Sequence, residues 1–541
     1  MRRLAALLIT VLTASSAVAM AQGATPAPAA KAKRSATTTK AAAMAGNIVS
    51  MPSPSPLYQI QIMVRAGSAN DPVGKEGTAS LVGDALIEGG FGSTKAPVTK
   101  EKLAEITRPW GEAALPRIRV DKQATTISML VPKENLQQFL AQVLRPMLQK
   151  PLFDAKEVDR LKKEALVNIQ SRIRFEQQEQ LGLLALDGGI FAGTPLGHLA
   201  GGTVQGVSAI TRQDLADFYK QYFTRENVFI TTTASSAAEQ NAIAAVLPAG
   251  GTAAATMDVK PAAVKGRELL IITQPNAIAT GIHFGFPIDV KRGDADYWPL
   301  FVANVFLGTH RDGFGHLYQT IREERGYNYG DYSYIEWLVG RPFFLFPPPG
   351  TPRSAQYFSV WVRPVATQYT QFIAKAATAE LDNFIKNGMT PEQVAAAKNK
   401  ARTLYLKYSD SKSRQLGYKL DDMFYGMRDH GYLDEMLKDV DAVTPEQVNG
   451  AIKKHLQTAN MKYVIVTNQS VGDKLADEIA NSANIVSKSL AEYHITEPVP
   501  AEKQAMLKQD EAWKTYPLNI ARDRIKVVKA EQMFETDGGA K

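Results

Sequence analysis

The chain has no cysteine and seven histidines, His198, His283, His310, His316, His430, His455 and His494, so metal or proton-transfer chemistry must rest on imidazoles, carboxylates and hydroxyls. Thiol chemistry, disulfides and cysteine-ligated metals are excluded. No two histidines stand four residues apart, the spacing that would put both on one helix face to grip one ion. His310-Arg-Asp-Gly-Phe-Gly-His316 does gather two imidazoles and a carboxylate. It lacks a fourth ligand in sequence reach, and reads as a solvated Gly-rich loop. Ser80, Asp84 and Glu88 are each one helical turn apart and share a face. Without a histidine or lysine base in that stretch, they read as a solvated or capped helix face rather than an acid–base site. No Ser/His/Asp or paired-carboxylate arrangement is evident.

These residues belong to a chain of 541 residues, 45% hydrophobic and 21% charged, an ordinary soluble globular composition with length for three or four units of about 150 residues. Arg2 and Arg3, the apolar run Leu4 to Val18 and Ala19-Met20-Ala21 form the pattern of a cleaved export signal. Residues 1–22 are therefore expected to direct export to the periplasm, with cleavage after Ala21 and Gln22 as the new N-terminus. The apolar run is shorter than the roughly 20 residues needed to cross a bilayer, and no later segment is apolar enough to do so. The formal net charge of +8 is concentrated at the start. Arg2, Arg3, Lys31, Lys33, Arg34 and Lys40 face no acid within the first 46 residues, and without them the balance is about +2. No nucleic-acid partner is expected from that. Residues 23–46, rich in Ala, Pro, Thr and Lys without an aromatic residue, read as a disordered linker.

Two stretches repeat. Ser208 to Thr233 aligns without a gap to Asp441 to Val466, at an offset of 233 residues. In both, a threonine (Thr211, Thr444) stands as a helix N-cap. Apolar residues follow at helical spacing, Leu215, Phe218 and Tyr222 in one copy and Val448, Ala451, Ile452 and Leu456 in the other. A β-branched run after Asn227 or Asn460 then predicts a strand. Phe153 to Val158 and Met389 to Val394 each open a long amphipathic helix, and Tyr58 to Arg65 and Leu269 to Pro287 are strand-like. The expected organisation is a first repeat over 47–246, a Gly/Ala-rich hinge over 247–265, a second repeat over 266–498 and a tail over 499–541. The tail either packs on the body or serves for docking. The insertion Phe343-Phe-Leu-Phe-Pro-Pro-Pro-Gly350 reads equally as a buried loop or a partner contact.

Three groups of residues carry a family resemblance: Ala66-Gly-Ser-Ala-Asn-Asp-Pro-Val-Gly-Lys-Glu-Gly-Thr-Ala79; Thr194-Pro-Leu-Gly-His198 with Ala209 to Asn227; and Leu307-Gly-Thr309 with Leu317-Tyr-Gln-Thr-Ile-Arg-Glu-Glu-Arg-Gly-Tyr-Asn-Tyr329. Through them residues 50 to about 480 resemble the pitrilysin/insulinase metallopeptidases, a family that includes the mitochondrial processing peptidase subunits and small bacterial two-repeat members. The resemblance implies an α+β fold of two homologous α/β-sandwich repeats, each a mostly antiparallel sheet with helices packed on one face, facing each other as a clam-shell across a chamber.

Active members continue the first stretch into H-x-x-E-H, where both histidines bind zinc and the glutamate is the base. Here Ser80 and Asp84 stand for the two histidines and Gly83 for the base. The third ligand, a glutamate about 80 residues downstream, is matched by Asn168 ahead of Ile169. Losing all four implies that this chain binds no zinc and has no means of activating water. Active members also hold the scissile carbonyl and its developing oxyanion with an arginine and a tyrosine seven residues apart, a permanent cation and a phenolic donor. Arg322 and Tyr329 match that pair; read structurally, they would be a helix-end salt bridge and a core-facing strand tyrosine. The resemblance implies a non-catalytic subunit of an exported zinc metalloendopeptidase. Arg322 and Tyr329 would complete the peptide site of a homologous H-x-x-E-H subunit, a heterodimer whose zinc lies in the partner. The competing expectation is an inert peptide-binding or scaffold protein with the same fold, like the core subunits of respiratory complexes in that superfamily.

Overall fold

The computed structural model describes residues 47–176, 178–255, 257–338, 348–427, 429–481 and 501–536. The expected export segment and linker, and Phe343 to Pro347 of the insertion, lie outside them.

Apolar and β-branched runs supply the strands. The first half gives β1 (Ile48–Ser50), β2 (Leu57–Val64), a short ribbon of β3 (Phe91–Ser93) and β4 (Ala96–Val98), β5 (Arg117–Val120), β6 (Thr125–Pro132) and β7 (Val228–Thr232). One sheet orders them β1-β7-β2-β6-β5, antiparallel except where β1 meets β7. The second half gives β8 (Arg267–Gln274), β9 (Thr280–Ile288), β10 (Asp331–Tyr334), β11 (Gln356–Val365) and β12 (Met461–Asn468). Their order, β8-β12-β9-β11-β10, is the same, again with the first pair parallel. β13 (Ile525–Lys529), from the tail, adds itself parallel to the outside of β8.

The helices that position the residues of interest are α1 (Thr78–Glu88), α2 (Ala155–Val167), α3 (Gln178–Ile190), α4 (Arg212–Tyr222), α5 (Tyr297–Gly308), α6 (Thr370–Asn387), α7 (Lys412–Tyr425), α8 (Pro445–His455) and α9 (Gln504–Thr515). Thr211 and Thr444 cap α4 and α8 as the sequence requires. Each hydroxyl accepts the N–H of Asp214 or Gln447, whose side chain returns a bond to the cap. Among the described residues no helix is long and apolar enough to cross a membrane.

The fold is the expected α+β pair of sheets, with one addition: the two halves exchange helices. Each sheet is covered on one side by helices of its own half, α1 on β5, α5 on β10 and α6 on β9. Its other side takes a helix from the opposite half. Thus α7 lies on β7 and β2, where Leu420 and Met423 pack with Met63, Ala124 and Phe229. Conversely, α3 lies on β9 and β12. That crossing is so close that a Cβ on Gly182 would overlap the imidazole of His283, so only glycine fits. His283 is fully buried against Trp361 with neither ring nitrogen bonded, and burial pulls it down to about 3. It is a neutral core residue, not a ligand.

Charged groups are buried at the same junction. Arg353 donates to Asp187 of α3 at 2.6 Å, Lys122 lies 3.6 Å from the same carboxylate, and all three are buried. The tail also ties the halves together. Beyond β13, the carbonyls of Phe534 and Glu535 accept the N–H groups of Val204 and Gln205 at 3.0 Å, and Glu535 pairs with Arg174 at 2.7 Å. The tail is therefore packed on the body.

Candidate functional site

Asp71 prepares the start of α1. Its carboxylate accepts the N–H groups of Gly77 (2.6 Å) and Ala79 (2.7 Å), the role that orphan donors of a first turn require. Burial nevertheless pushes it up to about 8. Ser80 is half-buried, Gly83 is buried and Asp84 is exposed. Gly83 faces β5: a Cβ there would come 2.8 Å from Val120 Cγ2 and 3.3 Å from Ile118 Cγ2. The position that the family resemblance assigns to a base is thus taken up by helix–sheet packing. Asp84, though open to water on one side, is crowded by protein and by the Glu88 and Glu164 carboxylates, which together push it up to about 6.

Arg160 of α2 is the most heavily paired cation of this surface. Its guanidinium donates to Glu88, to Glu157 at 2.8 Å and to Glu164 at 2.6 Å. Burial alone would raise Glu88, but the bonds from Arg160 and from Lys100 (2.9 Å) hold it below the usual carboxylate range. Asn168 sits half-buried where α2 gives way to a π-wound stretch, Asn168–Glu176. The residue in electrostatic reach of Asp84 is Glu164, one turn earlier. Among the described residues no three His, Asp or Glu side chains converge as a metal site. A hydroxyl, a carboxylate and an amide without an imidazole do not suit zinc, which prefers nitrogen and sulfur donors.

Rebuilding the motif by Ser80→His, Gly83→Glu and Asp84→His together is expected to leave the protein below one equivalent of zinc after dialysis. Gly83→Glu alone is expected to lower the unfolding midpoint, the overpacking against Val120 costing about 1–3 kcal/mol. Stoichiometric zinc and an unchanged midpoint would refute this account of the helix.

Arg322 lies near the end of a short π-wound stretch, Tyr318–Glu323, and Tyr329 in the bend that follows it before β10. Arg322 rests 4.7 Å over the Tyr318 ring, bonds Glu323 at 3.0 Å and leaves a third of its side chain exposed. Tyr329 is 71% exposed, so it is not a core-facing strand residue. Arg363 lies 5.8 Å over its ring and is held at 2.9 Å by Glu179 of α3. The turn is braced from behind by the tail. Arg325, fully buried, donates to Asp510 (2.7 Å) and Gln509 (2.8 Å) of α9 and to the Thr320 carbonyl (2.6 Å), and stacks 4.2 Å from Trp513. Nothing in the local sequence joins Arg325 to Asp510; an acid facing an invariably charged arginine could only be found by tertiary packing.

His310 and His316 do not converge. His310 is buried and meets the Tyr334 hydroxyl at 2.6 Å, whereas His316 meets Glu380 at 2.7 Å. The loop is anchored at both ends rather than merely solvated.

Beside the turn, Asp331 is wholly buried; Oδ1 accepts from Asn328 at 2.9 Å and Oδ2 has no partner among the described residues. Burial pushes it up to about 8. The folded state therefore keeps a proton that the unfolded chain sheds near pH 4, so this residue's contribution falls as pH rises from about 4 to about 8. Asp331→Asn is expected to raise the unfolding midpoint at pH 8, leave it unchanged at pH 4, and flatten the decline between them. Asp71 and Asp421, raised in the same sense to about 8 and about 7, keep part of that slope in the variant.

Residues 209–401 match the family model described as the peptidase M16 inactive domain. Over 275 residues the chain is 25% identical to uncharacterized zinc proteases of Mycobacterium tuberculosis and Mycobacterium bovis, an alignment covering 49% of this chain and 58% of theirs. It thus spans under two thirds of the length of these relatives. Among solved structures, the peptidase M16 inactive domain from Pseudomonas fluorescens superposes with a TM-score of 0.65 at 23% identity, covering 78% of this chain and 95% of that one. A protease from Helicobacter pylori gives 0.66 at 11% identity, covering 78% and 96%. With a match to the M16 inactive domain over residues 209–401 and the fold of M16-like peptidase structures across its two sheets, the chain is similar to the pitrilysin/insulinase-type proteins.

Proposed function

We propose that this chain is the non-catalytic subunit of an exported zinc metalloendopeptidase, lending Arg322 and Tyr329 to the peptide site of a homologous H-x-x-E-H subunit that holds the zinc. The observation that carries the reading is the contrast between the two halves. Where active relatives place ligands and base, α1 is sealed by Gly83 on Val120 and its Glu88 is tied to Arg160. Where they place the substrate-binding pair, Arg322 and Tyr329 are presented to solvent on a turn that a buried ion pair holds in shape. Natural selection for fold alone would not require an exposed tyrosine on a braced turn. Export through residues 1–22 belongs to the same proposal, since the partner would share the compartment.

The test is native co-purification of the tagged mature protein from envelope extract, with zinc content and cleavage of a quenched unstructured peptide measured on the product. Recovery with an H-x-x-E-H chain, with zinc and with activity, supports the subunit reading. Recovery alone or self-associated, without zinc and inert, replaces it with a peptide-binding or scaffold role.

A further inference from the structure

The loop that begins at the C-terminal end of α5 borders a cavity of about 210 Å³, lined by Thr309, His310, Arg311, Ser333, Tyr334 and Trp337 among others. Arg311 is unusual in three respects. Its backbone is left-handed (φ +48), which costs a non-glycine residue free energy and persists only where the surroundings impose it. Its Nε is buried without a hydrogen-bond partner. Among the described residues it has no ion pair. Trp337, on the same wall, has an Nε1 that is likewise buried and without a partner among the described residues. Two orphan donors, one carrying a permanent charge, are a costly arrangement unless an acceptor completes them.

The acids on the wall are already engaged. Asp312 is held by Lys400 at 2.6 Å with Lys407 at 3.8 Å, and Glu336 by Arg292 at 3.0 Å. They leave half-buried Arg311 without an ion pair among the described residues. Arg311 lies near the proposed peptide-binding pair, because Arg311, Arg322 and Arg363 all act electrostatically on Tyr332. Tyr332 lies beside Tyr318, the ring under Arg322.

We propose that this cavity is a carboxylate-binding subsite, with Arg311 as its cation and Trp337 as a neutral donor, and that it selects peptides bearing an acidic residue. The inference rests on the proposed function only for the fate of the peptide; binding by this chain alone is independent of it. Cavity size suits one carboxyl-bearing side chain, and a charge-assisted bond to a guanidinium is roughly twice as strong as a neutral one.

The test measures, by calorimetry on the mature chain without partner, binding of end-blocked hexapeptides carrying a single Glu or a Gln in its place, and of the Gln peptide with a free C-terminal carboxylate. The Glu peptide is expected to bind about tenfold more tightly than its Gln counterpart, equivalent to about 1.4 kcal/mol. Arg311→Gly, which relieves the left-handed strain and so should fold, is expected to abolish that preference, as is Arg311→Gln. Preference for the free carboxylate alone, also lost in Arg311→Gly, would keep the subsite and assign it to peptide C-termini. Equal binding of all three peptides, no binding of any, or a preference that survives Arg311→Gly would overturn the proposal. Failure of co-purification with an H-x-x-E-H chain would leave these binding results unaffected.

Discussion

Arg322→Ala in the purified complex is expected to lower kcat/KM for peptide cleavage by about 10²- to 10³-fold, or about 3–4 kcal/mol, while leaving zinc content and thermal stability unchanged. The size follows from where the proposed function puts the charge: a donor aimed at an oxyanion that exists only in the transition state would be lost at the moment it matters most. The neutrality in stability follows from the environment. Arg322 keeps a third of its side chain in water, and its contacts are an exposed carboxylate and the face of Tyr318, interactions worth about 1 kcal/mol or less. Arg322→Lys should recover only part of the rate, since an ammonium lacks the planar fork. Arg325→Ala, three residues on, is the control with the opposite signature. It strands Asp510 in the core, so stability should fall, and with it the shape of the turn. Unchanged cleavage by Arg322→Ala in an active complex would remove the basis of the subunit reading.

Much of the fold is legible in the sequence itself. The offset of 233 residues that aligns Thr211 with Thr444 reappears as strands beginning at Val228 and Met461, because capping chemistry and β-branched runs are local signals. The replacements at Ser80, Gly83 and Asp84 are visible as letters. What a letter does not convey is that Gly83 is fixed by Val120, or that Arg160 reaches across to Glu88 on the neighbouring helix. Those contacts are distant in the chain, the second joining residues 72 apart, and are set by how α1 meets β5 and α2. The exchange of α3 and α7 between the sheets is hidden for the same reason: an amphipathic pattern says that a face is buried, not against which half of the chain. The tail is the least legible part. Ile525 to Val528 has strand character, but only the free edge of β8 decides that it pairs there rather than docking elsewhere.

Asp187→Ala is expected to cost the fold about 3–5 kcal/mol, seen as a fall in the denaturant midpoint, and to make the 247–265 connector open to limited proteolysis. The carboxylate lies on α3 of the first half and holds Arg353 of the second at 2.6 Å, with Lys122 at 3.6 Å. Removing it leaves two buried cations with Asp121, 3.7 Å from Arg353, as the remaining counter-charge. Lys122 can escape by losing its proton, since burial already lowers its affinity for one and Asp187 is the largest influence opposing that. Arg353 cannot, because its guanidinium stays charged at any ordinary pH, and its Nε and Nη2 are already without hydrogen-bond partners among the described residues. The strain therefore falls on the contact between the halves, where α3 crosses β9 over Gly182 with no slack to repack. The triple variant Lys122→Met, Asp187→Leu, Arg353→Met should regain much of the loss, because a matched apolar cluster avoids the desolvation cost that the ions incur. If Asp187→Ala were neutral, the ion cluster would not be what holds α3 to the second sheet, and the packing of Gly182 on His283 would have to do so alone.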